Sequence, residues 1–395
     1  MRYTHRTISP HPFCFTRWAT PLLEELVLTD IHLHWAKRAF PPTLTRLVVD
    51  KNTLDKSRLV SAATILGVLQ DLPALRSLEL HRVLGDPLPL TLPSPIATPC
   101  LAYMHITAPF QAACSFVRAC SISPVAKVEL SSDGNLSGVE VPTFSATLAP
   151  LITTLRPRSL ILIRGHLHFS LAPNVCDHDS DSPVLDREHP YVSLTTTDHD
   201  AALSIFKDAQ LHQSMWPSLD LLSITTLSVL GPIDVKKRTS LLGWVSLVEG
   251  LSNLESLHVY GSSSSVAEVT ALFPLLNQRY KTTESQKTRY CLPKLRRVEL
   301  HKVTFRPVDK FGLLDVGDRG RILQRMKAFR DLIRKRKEAE CPLEKIALIR
   351  CFGVLKEDVA VLQEEVEVDW VEVKWADLEE GRDYITISSD SDDAE

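Results

Sequence analysis

No stretch of this 395-residue chain approaches the roughly 18 consecutive apolar residues of a membrane-spanning helix. The first twenty residues, MRYTHRTISPHPFCFTRWAT, lack the apolar run of a secretory signal. Together these absences direct the expectation to the cytoplasm, the nucleus or both. The eight cysteines have no paired or regular spacing, which points to buried free thiols rather than a disulfide framework. Catalytic signatures are missing too: there is no GxSxG nucleophile turn, no glycine-rich phosphate loop and no HExxH helix. With 14 histidines and 48 acids, chance pairings are unavoidable. No catalytic residue, metal ligand or cofactor is therefore assigned, and the chain reads as a non-enzyme.

What is present is a reused phrase. LPALRSLELHRV from Leu72 returns as LPKLRRVELHKV from Leu292 and more loosely as LSNLESLHVYG from Leu251. Reduced to apolar positions the unit is PxLxxLxL, and ten copies can be followed along the chain. Their strand positions fall at Leu26, Leu47, Leu78, Met104, Val128, Leu160, Leu222, Leu257, Val298 and Ile346, at intervals of 21 to 62 residues. Two apolar residues two apart point to the same side of a strand, and one such strand cannot bury its face alone. Stacked neighbours can. The expectation is an α/β leucine-rich-repeat solenoid with a parallel sheet on its concave face and helices or irregular segments on its convex face. Leu26, Leu28, Leu78, Leu80, Leu257, Val259, Val298 and Leu300 should be buried. Proline before each strand suits a loop entering it. Amphipathic stretches at Ser57 to Gln70, Gln111 to Cys120, Ala201 to Leu211, Val266 to Asn277 and Arg319 to Lys337 would return the chain as helices.

The residues alternating with the buried positions should then line the concave face. They are Glu79, His81, His105, Thr107, Glu129, His258, Tyr260, Glu299 and His301, and they form the expected protein-binding surface. A separate cluster of Cys176, Asp177, His178, Asp179 and Asp181, followed by His189, Asp198, His199 and Asp200, offers acceptable metal ligands. Its spacing fits no familiar site, and serine and proline fill the gaps as in an exposed loop. It is read as a loop.

Charge is uneven. From Lys356 onward 15 acids face 3 bases, leaving a net +9 for residues 1 to 355. Nine bases lie in Arg319 to Lys337 against the single acid Asp331. This is a solvated helix face or a nuclear import signal centred on Arg334, Lys335, Arg336 and Lys337. The stretch lacks interleaved aromatics, and the acidic tail would compete with phosphate, which argues against nucleic acid. The organisation expected is an irregular segment at 1–20, the repeats at 21–375 and a disordered acidic tail at 376–395.

The PxLxxLxL units with long irregular spacers, and the closing passage CPLEKIALIRCFGVLKEDVAVLQEEVEVDWVEV from Cys341, resemble the F-box and leucine-rich-repeat proteins of mushroom-forming fungi. Cys351 takes the polar turn position of cysteine-containing repeats, where Val83 and Val303 stand in other units. The resemblance implies a substrate receptor of a cullin-type ubiquitin ligase, in which a helical F-box binds the adaptor and the repeats choose the substrate. MRYTHRTISPHPFCF has neither the length nor the apolar periodicity of that helical module. Adaptor binding would then need an F-box supplied from elsewhere, and the alternatives are a ubiquitin-independent scaffold, a truncated paralogue or, more distantly, a metal-dependent enzyme using the acidic histidine loop. In the tail, Ile385 and Ile387 before Ser388, Ser389 and Ser391 resemble a SUMO-interacting motif, where a short strand pairs with a sheet edge and acids or phosphoserines meet basic residues.

Overall fold

The computed structural model describes residues 2–4, 22–30, 35, 40–51, 59–85, 96–98, 100–123, 125–132, 141–163, 166–171, 189–196, 216–230, 238–261, 276–277, 279–281, 288–303, 305, 319–351 and 354–371. They belong to two compact units, residues 1–173 with 185–224 and residues 174–184 with 225–395. The repeats expected as one body at 21–375 are thus divided. No helix among the described residues is long and apolar enough to cross a membrane.

The first unit contains strands β1 (Arg2–Thr4), β2 (Glu25–Thr29), β3 (Arg46–Asp50), β4 (Ser77–His81), β5 (Ile96–Ala97), β6 (Tyr103–Ala108), β7 (Cys120–Ser121), β8 (Lys127–Ser132), β9 (Ser159–Ile163), β10 (His166–Ser170) and β11 (Tyr191–Thr196). Its helices are α1 (Ala62–Leu69), α2 (Phe110–Arg118) and α3 (Val141–Leu155). The main sheet runs β1-β2-β3-β4-β6-β8-β11-β10-β9, while β5 and β7 pair separately. Arg2–Thr4 pairs in parallel with β2, so the segment expected to be irregular contributes a strand.

The second unit contains β12 (Thr226–Leu230), β13 (Ser256–Tyr260), β14 (Arg279–Lys281), β15 (Thr288–Tyr290), β16 (Arg297–His301), β17 (Lys345–Ile349) and β18 (Glu367–Val371). Its helices are α4 (Arg238–Gly250), α5 (Arg319–Glu338) and α6 (Lys356–Gln363). Here β12-β13-β16-β17-β18 form a wholly parallel sheet, and β14 and β15 a small antiparallel pair. Both units are α/β with mostly parallel sheets.

Backbone geometry explains the recurring phrase better than the expectation did. Pro42, Pro73, Pro217 and Pro293 each sit second in a turn closed by Leu44 N to Pro41 O, Leu75 N to Leu72 O, Leu219 N to Trp216 O and Leu295 N to Leu292 O. Proline's fixed φ suits that second position. After the turn, successive strands are locked at both ends. Before β4, Arg76 and Ser77 N–H both donate to Thr45 O; before β16, Arg296 and Arg297 donate to Glu255 O. Past the strand ends, Asp30 donates to Asp50 O, Arg82 to Thr107 O, Lys302 to Ile349 O and Arg350 to Val371 O. These four residues take φ of 56°, 55°, 52° and 50°. The left-handed turn lets each N–H reach its neighbour strand.

The inward leucines form the core as expected: Leu26, Leu28, Leu78, Leu80, Leu257, Val259, Val298 and Leu300 are all buried. Helix α1 starts at Ser61, whose hydroxyl accepts from Thr64 N, and buries Ala62, Ile65, Leu66 and Leu69 on one stripe. Helix α2 packs on β6 and β8 between α1 and α3. The stretches expected to be helical at Ala201 to Leu211 and at most of Val266 to Asn277 lie outside the described residues.

Two expectations of register fail. Strand β10 is antiparallel to both β9 and β11, with Leu167 facing Leu162 on one side and Leu194 on the other. A hairpin partner and the strand after it are inserted between β8 and β9, because LILIRGHLHF supplies two β-prone runs around a short connection. Leu222 is the second correction. It is 57% exposed, and the next turn, closed by Ile224 N to Leu221 O, starts the unit whose strand residue is Leu227, paired with Leu257.

Gly261 follows β13 at the place of Lys302 and donates to His301 O. A Cβ there would stand 2.3 Å from Lys302 O, a backbone atom that cannot swing away. Gly261→Ala is expected to lower unfolding free energy by about 1–3 kcal/mol in urea titrations, whereas an unchanged midpoint would mean that the two turns are not in this contact.

Candidate functional site

In the first unit the strand face opposite the core is a polar surface assembled by register. Parallel pairing sets Glu79 beside His105 and His105 beside Glu129 in one row, and His81 beside Thr107 and Thr107 beside Ser131 in the next. In β4, β6 and β8 every inward residue is buried and every outward one half-buried. The five expected residues here, Glu79, His81, His105, Thr107 and Glu129, are therefore brought together.

They are tied to one another. Arg46 Nη2 donates to Glu79 Oε1 at 3.0 Å. His81 Nε2 lies 3.7 Å from Glu79 Oε2, and His81 Nδ1 lies 3.1 Å from Thr107 Oγ1. His105 Nδ1 is 3.5 Å from Glu129 Oε2, with His105 Nε2 3.3 Å from Ser131 Oγ. Tyr103 donates to Glu129 Oε2 at 3.1 Å, and the Tyr191 hydroxyl donates to Oε1 of the same carboxylate. The two imidazoles meet edge to face with centroids 4.6 Å apart. Partial burial, then the neighbouring His81, holds the His105 pKa below the ordinary imidazole value against the pull of Glu129 and Glu79. Arg46, Tyr103 and Ser131 are additions that the repeat alternation could have supplied, since each occupies an outward position of a repeat strand; Tyr191 comes from the unexpected β11.

The second unit corrects the expectation. His258, Tyr260, Glu299 and His301 are 6%, 1%, 1% and 4% exposed, so none lines an open surface. A buried charge needs partners, and these residues provide them. Glu299 Oε2 lies 3.6 Å from His258 Nδ1 and 3.5 Å from His301 Nε2, while Arg297 reaches Oε1 at 2.5 Å. Tyr260 stacks on the His301 ring, with centroids 4.5 Å apart and planes 21° from parallel. This is a buried polar cluster in which Arg297 pairs with Glu299 and both imidazoles lie beside the carboxylate.

Helix α5 departs from its expected solvated face. Arg334, Lys335 and Lys337 are exposed, but Arg336 is fully buried. Its guanidinium donates to Leu276 O at 3.2 Å, Leu292 O at 2.7 Å and Leu295 O at 3.4 Å, and lies 4.9 Å above the Tyr290 ring centroid. Arg336 thereby clasps the turn before β16, and only three of the four residues proposed for nuclear import are presented outward. The signal was in the spacing: Met326, Phe329, Ile333 and Arg336 step by three, four and three along one stripe.

Cys114, Cys120, Cys291 and Cys351 are buried free thiols. Burial pushes the Cys351 thiol up to about 12, and its Sγ points at Leu300 O at 3.1 Å. Val83 and Val303, two residues past their strands like Cys351, are equally buried. His189 is exposed; Cys176, Asp177, His178, Asp179, Asp181, Asp198, His199 and Asp200 lie outside the described residues, as do Ile385, Ile387 and the 376–395 tail. Neither the protein-family models nor the curated proteins give a match to this chain.

Two outcomes follow from the interior groups. Burial lowers the His258 pKa to about 4, against the pull of Glu299. The unfolded chain, with an ordinary imidazole, binds the proton first, so this residue's contribution is intact above about pH 6.5 and is lost as pH falls toward 4. The slope is about 1.4 kcal/mol per pH unit at most. His258→Asn should flatten that acid limb in urea titrations run at several pH values. Removing the clasp, Arg336→Ala should cost on the order of 3 kcal/mol, measured in the same way, while Lys335→Ala on the exposed side should change stability by less than about 0.5 kcal/mol.

Proposed function

We propose that the chain is a leucine-rich-repeat protein-binding module whose partner docks on the outward strand face of the first unit, around Glu79, His81, Tyr103, His105, Thr107 and Glu129. The observation that carries this reading is the contrast between the two sides of β4, β6 and β8. One side is a continuous apolar core, and the other is a partly exposed array of imidazoles, carboxylates and one tyrosine, Tyr103. Their cross-strand hydrogen bonds hold the side chains in place, which reduces the ordering cost of binding. Tyr103 and Arg46 belong to the residue types enriched at the centres of interfaces.

Within this reading, resemblance to F-box and leucine-rich-repeat proteins favours a ubiquitin-ligase substrate receptor acting in the cytoplasm or nucleus. A scaffold without a ubiquitin link uses the same surface and differs only in the adaptor. Co-purification of the tagged full chain, compared with an Arg46→Ala, Tyr103→Ala and His105→Ala triple variant, tests the surface. The expected outcome is a protein retained by the first and lost by the second at a nearly unchanged melting temperature; equal retention removes the surface from consideration. Tyr260→Ala serves as the contrast, with an expected stability loss of about 3–5 kcal/mol from the core cluster. Presence or absence of the ligase adaptor in the wild-type eluate separates receptor from scaffold.

A further inference from the structure

We propose that Glu79, His81 and His105 form a binding site for a divalent transition-metal ion of the zinc type, open to solvent at its remaining coordination position. One ligand atom from each of the three lies within 4.8 Å of the others. Two imidazoles and one carboxylate are a donor set suited to zinc, and sites with three protein ligands leave a fourth position for water or another molecule. Zinc bonds of about 2.0–2.2 Å need ligand atoms roughly 3.4 Å apart, so side-chain rotations of about 1 Å close the site.

The surroundings already orient these donors. Arg46 occupies Glu79 Oε1, which leaves Oε2 directed at His81. His81 Nδ1 lies 3.1 Å from Thr107 Oγ1, and in the tautomer that carries the proton on Nδ1 this contact leaves Nε2 free to offer its lone pair. In that tautomer the Nε2 lone pair and Glu79 Oε2, 3.7 Å apart, are both available to a cation. A cation between them satisfies both. His105 Nδ1 lies beside Glu129, whose carboxylate is fixed by the Tyr103 and Tyr191 hydroxyls, and its Nε2, 3.3 Å from Ser131 Oγ, exchanges that neighbour for the ion on binding. Histidines whose second nitrogen meets a carboxylate or hydroxyl are the arrangement that outer groups impose on metal ligands. The side chains of Glu79, His81 and His105 are 18%, 22% and 22% exposed, so an ion can enter from the outward face.

This inference does not rest on protein docking, and it is tested without a partner. The chelator-treated full chain is titrated with zinc chloride by calorimetry at neutral pH, alongside Glu79→Gln, Thr107→Val and a His81→Ala, His105→Ala double variant. The expected result is one more zinc equivalent in the wild type than in the double variant. Affinity should also fall at least tenfold in Glu79→Gln and about 10–100-fold in Thr107→Val, whose change removes only the outer partner. Cobalt added to the wild type should give the visible bands of a nitrogen and oxygen site, without thiolate charge transfer. Equal stoichiometry and affinity in wild type and folded variants, no binding by the wild type, or a cobalt spectrum of thiolate ligation alone would overturn the site. Should the double variant fail to fold, Thr107→Val and the cobalt spectrum decide the matter.

Discussion

Everything described here depends on backbone pairing that is locked at both ends of β3, β4, β13, β16 and β17. Two N–H groups before the strand share one carbonyl of the preceding strand, as Arg76 and Ser77 share Thr45 O. One N–H past the strand reaches a carbonyl near the end of the following strand, as Arg82 reaches Thr107 O. Slippage by one residue would break both bonds and turn the leucines outward. This lock converts an alternating sequence into a sheet with an apolar side and a chemical side. Asp30, Arg82, Lys302 and Arg350 make the bond past the strand from the left-handed backbone region, whereas Lys51 makes it to His81 O without a positive φ.

The same local rule leads to different surfaces in the two units. In the first, Glu79 and His81 stand next to His105 and Thr107 at a half-exposed face. In the second, the very similar Glu299 and His301 stand next to His258 and Tyr260 in the interior. Both groups set a guanidinium against a carboxylate, Arg46 at Glu79 and Arg297 at Glu299, with imidazoles beside the pair. Where the array remains accessible, its donors can meet something else. In the interior they chiefly satisfy one another.

Much of the fold was legible from the reused phrase, since inward residues such as Leu78, Met104, Leu257 and Val298 are apolar and Pro73 and Pro293 mark the turns before their strands. Leu222 was placed wrongly because PSLDLLSITTLSVL contains two overlapping frames, and local pattern alone does not choose between them. The inserted β10 and β11 were not expected, as a hairpin partner and a repeat strand share the same β-prone composition. The outward residues of the first unit were identified by alternation. For Tyr260 and His301 the same alternation correctly separated the two faces, but burial of the second face depends on tertiary packing. Arg336 was counted with its charged neighbours although it lies on the apolar stripe of α5.

The reversed β10 also separates two kinds of chain closure within the first unit. Joining β4 to β6 brings together Leu78 and Met104, and joining β8 to β11 brings together Val128 and Val192. The longer span raises the closure entropy by about 0.8 kcal/mol if the intervening chain is loose. Ser159–Ile163 and His166–Ser170, by contrast, are joined by two residues and can pair on the microsecond scale typical of hairpins. Once formed, that hairpin shortens the loose span before β11 must find β8. The one antiparallel interruption thus provides a local folding step inside a sheet whose other strands must wait for distant neighbours.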